Sequence, residues 1–145
     1  MKNIKLLIIT SLSFVVACQA QKNGSSYQER SPYLVERSSE NISIPTSLVS
    51  DIGKGYAILA IYINNSVIDA FGVKKVSILD NKENTLVKYI NSSDSVMTKE
   101  EYPKEVQLLY PYFERYVSSI RVEKNPYAKQ KDNYIFNFKV IIQNE

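Results

Sequence analysis

The 145-residue chain carries a formal charge of +3, two units of which sit on Lys2 and Lys5, so the remainder is near neutral and gives no electrostatic case for nucleic acid. It is 44% hydrophobic, with 11 tyrosines and no tryptophan, enough for one domain with a packed core. A single cysteine excludes an intrachain disulfide, and the absence of histidine removes Ser-His and Cys-His nucleophiles and the commonest zinc ligand.

In chain order, Lys2 and Lys5 precede the apolar run "LLIITSLSFVV" at 6–16. This run is too short for the ~20 apolar residues of a spanning helix. A basic start, a short greasy segment and small residues after it make a secretory signal. Two cleavage readings stand. "CQA" is a small-x-small site, with a product starting near Gln21. "VVAC" resembles a bacterial lipobox, in which the signal is cut before Cys18 and the cysteine is acylated. That resemblance implies a signal peptide at 1–17, a flexible tether at 18–41, a single domain at 42–145 and a lipid anchor at Cys18. The implied address is the bacterial cell envelope, membrane-anchored and facing the periplasm, or secreted into the periplasm if Cys18 is not lipidated. Several acyl chains together make such anchoring essentially permanent.

Residues 19–40 read as linker, since Pro32 and the polar "ERSSEN" argue against an early core element. "ISIPTSLVSD" holds a short extended piece, and Pro45 forbids a central strand there. "GYAILAIYINN" is the first strong strand, with Ala57, Leu59, Ile61 and Ile63 on one face and Ile58, Ala60 and Tyr62 on the other. "NNS" at 64–66 is a turn signal, and a second strand lies within Val67 to Leu79, making an antiparallel hairpin. After the turn "DNKEN", "TLVKYI" fits either more sheet or the start of a helix. Val106, Leu109, Phe113, Val117 and Ile120 form a helical stripe. Pro111 predicts a break or kink near Tyr110, with two short helices as one outcome. "NYIFNFKVIIQ" is the clearest strand, with Tyr134, Phe136, Phe138, Val140 and Ile142 on its core face. The expected fold class is α+β: a small antiparallel sheet of about three strands packed on one or two helices.

Nothing in this order assembles a catalytic site. "GKG" at 53–55 lacks the spacing of a phosphate loop and reads as a turn before a strand. Glu100, Glu101 and Glu105 read as a solvated helix face. Asp80 with Glu83, or Asp94, could touch calcium, but no loop supplies enough ligands. The expectation is a non-enzyme without cofactor or metal. Tyr102, Tyr110, Tyr112 and Tyr116 crowd one region, and two readings apply: rings sealing sheet against helix, or an exposed surface for a sugar or peptide ligand.

The stretch from "IPTSLVSDIGKGYAILAIYINN" through "NPYAKQKDNYIFNFKVII" resembles the TonB C-terminal domain. Pro45, Gly55, the 57–63 and 73–79 strands, Pro126 and the 134–142 strand take that family's places. The resemblance implies a TonB C-terminal-like fold and a non-catalytic interaction module whose last strand pairs with an extended peptide of an envelope protein. The partner-binding residues it implies lie on that strand, at Tyr134, Ile135, Phe136, Asn137 and Lys139. Tyr112 and Tyr116 are the candidates of the alternative function, a lipid-anchored binding protein for a sugar or peptide.

Overall fold

In the computed structural model, which describes residues 30–93 and 95–145, seven strands and one α-helix follow one another. They are β1 (Tyr33–Glu36), β2 (Asn41–Ile44), β3 (Ile52–Asn64), β4 (Val67–Asp80), β5 (Thr85–Ile90), α1 (Lys104–Ser118), β6 (Arg121–Lys124) and β7 (Asn133–Asn144). A 3-10 turn at Lys99–Glu101 precedes α1. The longest apolar stretches make the longest strands. β3 and β4 pair antiparallel from Ile52↔Asp80 to Asn64↔Val67. Their turn residues Asn65 and Ser66 both take positive φ, 48° and 72°, the conformation a two-residue hairpin loop requires. β7 pairs antiparallel with the other side of β3.

This architecture corrects the expected fold class. The protein is mostly β: a five-stranded mixed sheet in the order β2-β7-β3-β4-β5, with β2 parallel to β7, and a separate antiparallel pair β1-β6. Among the described residues there is one α-helix, and a sheet of about three antiparallel strands, as in a TonB C-terminal-like fold, is not what forms. The unforeseen strands β1 and β6, and β2, expected only as a short extended piece, have four residues each, too few to display a period. β5 is "TLVKYI", which settles that segment as sheet although most of it is exposed. Pro111 does not divide the helix. It lies on the exposed side of a continuous α1, where water can take the bond its missing N–H forgoes.

One face of the sheet carries the core. Ala57, Leu59, Ile61 and Ile63 of β3 are buried with Val140 and Ile142 of β7, Val73, Val76 and Ile78 of β4, and Val106, Leu109, Phe113 and Val117 of α1. Each valine, leucine, isoleucine or phenylalanine among these contributes roughly 1.5–3 kcal/mol relative to exposure. "GKG" is the start of β3 rather than a turn before it. A Cβ on Gly55 would lie 2.6 Å from the Ile142 carbonyl oxygen of neighbouring β7, so this glycine serves close strand approach. Tyr33, in the stretch whose composition reads as linker, is buried, and its hydroxyl donates to the Lys131 carbonyl at 2.6 Å. Beside it, buried Asn125 donates from its side chain to the Ser31 carbonyl and from its backbone to that of Pro32.

Candidate functional site at the open sheet edges

A strand presents N–H and C=O groups on both edges, and unpaired edges invite another chain. The two flanking strands of this sheet are short. β2 covers β7 only at Ile141–Asn144, and β5 covers β4 only from Lys75 to Leu79. Among the described residues, no strand pairs with the outer edge of β7 before Ile141 or of β4 before Lys75. Both bare stretches lie at the hairpin end, because Asn64 pairs with Val67 on one side and Asn133 on the other.

On β7 the Ile141 N–H donates to the Glu40 carbonyl at 2.9 Å. Strand alternation then turns the backbone groups of Lys139, Asn137 and Ile135 to the same outer side. Arg37 occupies part of that edge: its guanidinium donates to the Lys139 carbonyl at 3.0 Å and lies 5.5 Å from the Phe138 ring centroid. Ile135 and Asn137 are exposed and carry the bare stretch. Tyr134 and Phe136 are half-buried on the core side, opposite Ile63 and Ile61. The last strand is therefore an interior strand of the sheet, enclosed by β3 along one side and by β2 at its C-terminal end. Lys139 also reaches the outer face, with its ammonium 4.7 Å from the Tyr56 ring centroid. The Lys75 side chain, hydrogen-bonded to that ring's hydroxyl, holds the Tyr56 pKa below its ordinary value.

On β4 the buried Val73 N–H donates to the Tyr102 hydroxyl at 3.0 Å. Two residues earlier, Phe71 turns its N–H and C=O the same way. Asp69 and Lys74 are extra residues at register shifts against β3, bulges that bend the strand. Along residues 66–71 runs a groove of about 490 Å3, closed opposite by Glu114, Val117 and Ser118 of α1 and by Ile120 and Val122. Sequence reading missed this site. Its only early sign is the apolar pair Val67 and Ile68 directly after a turn.

The tyrosines divide. Tyr102 and Tyr116 are buried; the Tyr116 hydroxyl donates to the Ser39 carbonyl at 2.5 Å, and its ring lies 6.2 Å from Phe138. Tyr110 stacks on Phe71 at 4.9 Å, and Tyr102 lies between Tyr110 and Tyr89 at 5.8 and 5.7 Å. Burial, ahead of neighbouring charges, raises the pKa of Tyr89, Tyr102, Tyr110 and Tyr116. Tyr112 is half-buried against the core, with the Arg115 guanidinium 5.9 Å from its ring.

The carboxylates have local duties. Asp80 accepts from the backbone of Lys82 and Asn84 and from the Asn84 side chain, each at 2.8 Å; these bonds, the Asn84 side chain's first, hold its pKa below the ordinary value. Glu83 pairs with Lys54 at 2.8 Å, and Glu101 accepts from the Thr98 N–H at 2.6 Å. Among the described residues, no three His, Cys, Asp or Glu side chains are placed to hold a metal, and no helix is long and apolar enough to cross a membrane. Cys18 and Asp94 lie outside the described residues. No known protein family, curated protein or solved structure matches the chain.

Proposed function

We propose that this chain is a non-catalytic, lipid-anchored envelope module that takes an extended segment of another protein as an added strand. The observation that carries the reading is the pair of bare edges at the hairpin end, where backbone groups of Ile135, Asn137 and Phe71 have no described partner. An added strand gains affinity from those groups and selectivity from alternate side chains. The mode of action implied by the TonB resemblance is kept here on edge geometry, without that family's fold. The lipobox at Cys18 supplies the anchor, which confines partner and module to one membrane surface and raises their effective concentration.

Two measurements test it. Mass spectrometry of the mature N-terminus should find an acylated Cys18; an unmodified chain starting at Gln21 removes the anchor. Co-purification from envelope membranes should lose its partner when proline replaces Ile135 and Asn137 together with Phe71→N-methyl-Phe, introduced by semisynthesis. Identical partners from native and edge-blocked chains remove strand addition.

A further inference from the structure

The β4 edge differs from a plain sheet edge in having walls. One wall is the strand itself, along residues 66–71; the other is the last turns of α1 followed by Ile120 and Val122. Ile68, Phe71, Val117 and Ile120 are among the apolar residues of the lining. At the strand's rise of roughly 3.3 Å per residue, residues 67–71 give an added segment about 16 Å of edge.

The groove is also charged in one sense. Asp69 stands on the strand wall and Glu114 on the helix wall; both are exposed, and neither is in an ion pair with a described residue. No lysine or arginine lines it. The C-terminal turn of α1 adds the partial negative charge of its end carbonyls. A second copy docked edge to edge would bring two such acidic grooves together, which like-charge repulsion opposes. We infer that the groove takes an extended, alternately apolar segment of a partner protein that carries a lysine or arginine between Asp69 and Glu114. The inference rests on the strand-addition reading above and names its site and partner chemistry. The segment's backbone bonds to Phe71, its apolar side chains rest on Val117 and Ile120, and its cation answers the two carboxylates.

The test uses the full chain and a panel of short, acetylated and amidated peptides alternating valine or isoleucine with threonine, each with one central lysine. A matched panel carries glutamate instead. Binding is read by fluorescence anisotropy, and its location by amide hydrogen exchange. The lysine peptides should bind and slow exchange at Phe71. The glutamate peptides should bind roughly tenfold more weakly, the size expected for two exposed ion pairs. Asp69→Asn with Glu114→Gln, both at exposed positions, should erase that difference and leave the residual binding. Equal binding of the two panels at Phe71 overturns the charge assignment and leaves strand addition standing. Protection at Ile135 and Asn137 in place of Phe71 overturns the groove and likewise leaves strand addition standing. No protection at either edge overturns both. Concentration-dependent protection of Phe71 without peptide means that a second copy fills the groove, and overturns the inference.

Discussion

The two ends of the five-stranded sheet are made from the same three long strands and finished by different means. At the end away from the hairpin, β2 and β5 lie alongside β7 and β4. Their backbones satisfy the outer edges in rows. Asn144 completes that end, accepting from the Ile52 N–H at 3.0 Å and donating to the Val49 carbonyl at 2.7 Å. At the hairpin end, single side chains do what strands do elsewhere. The Tyr102 hydroxyl takes the Val73 N–H, and the Arg37 guanidinium takes the Lys139 carbonyl. A side chain closes one backbone group where a strand closes every second one. The hairpin end therefore leaves the edges of the long strands β7 and β4 themselves open, while at the other end those edges are paired and the outermost edges belong to the short strands β2 and β5.

The largest effect should come from the core that both ends share. Phe113 is 1% exposed on α1. Phe113→Ala should cost about 3–5 kcal/mol, from lost transfer energy and the cavity left behind. Chemical denaturation measures it. Ile135→Ala, on the exposed face at the hairpin end, should stay within about 0.5 kcal/mol. Similar losses for the two would deny that the shared core, and not the exposed face at the hairpin end, carries the stability.

Next in size is the side-chain cap. Tyr102→Phe keeps the ring and removes the acceptor of a buried N–H, at a cost of about 1–3 kcal/mol. The same residue sharpens the pH profile. Tyr89, Tyr102, Tyr110 and Tyr116 all have pKa values raised above the ordinary 10.0, with burial as the first cause. Below that pH these hydroxyls are protonated in the folded and unfolded chains alike, and their contribution is fully present. Above it the unfolded chain ionises first, so stability is lost as pH rises through the higher folded values. Melting temperature should fall above pH 10.0, less steeply in Tyr102→Phe. An alkaline slope unchanged by that substitution would mean Tyr102 is not among the groups responsible.

Why the sealed end was hard to foresee follows from the same comparison. The faces of β3 and β7 were legible, because alternation over Ala57–Ile63 and Tyr134–Ile142 is long enough to show a period. The core stripe of α1 was legible for the same reason. The strands that seal the edges were not. β2 pairs in parallel with a strand at the far end of the chain, Asn41 opposite Ile141, and four residues ending before Pro45 carry no sign of that partner. The same limit applies to the site. Ile135, Asn137 and Lys139 were readable as an outer face, but a bare edge is defined by where β2 stops, a tertiary quantity. The β4 groove was hidden further, since the bulges at Asp69 and Lys74 break the alternation that would have separated its walls from its edge.

The finest test holds strand, phase and exposure fixed and varies only the end. Ile135 and Ile141 are both on β7, six residues apart in the sequence, exposed at 43% and 44%. Both turn their N–H away from β3. Only Ile141 has a partner there, the Glu40 carbonyl at 2.9 Å. Proline at either site removes the N–H and constrains φ, so the backbone cost is largely common to the two. Ile141→Pro should therefore be less stable than Ile135→Pro by the worth of one hydrogen bond, roughly 0.5–1.5 kcal/mol. Glu40 itself should show it, through faster exchange of the Asn41–Ile44 amides as β2 loosens. If the two variants match, the Ile135 N–H already has a partner in solution, and the edge on which strand addition depends is occupied.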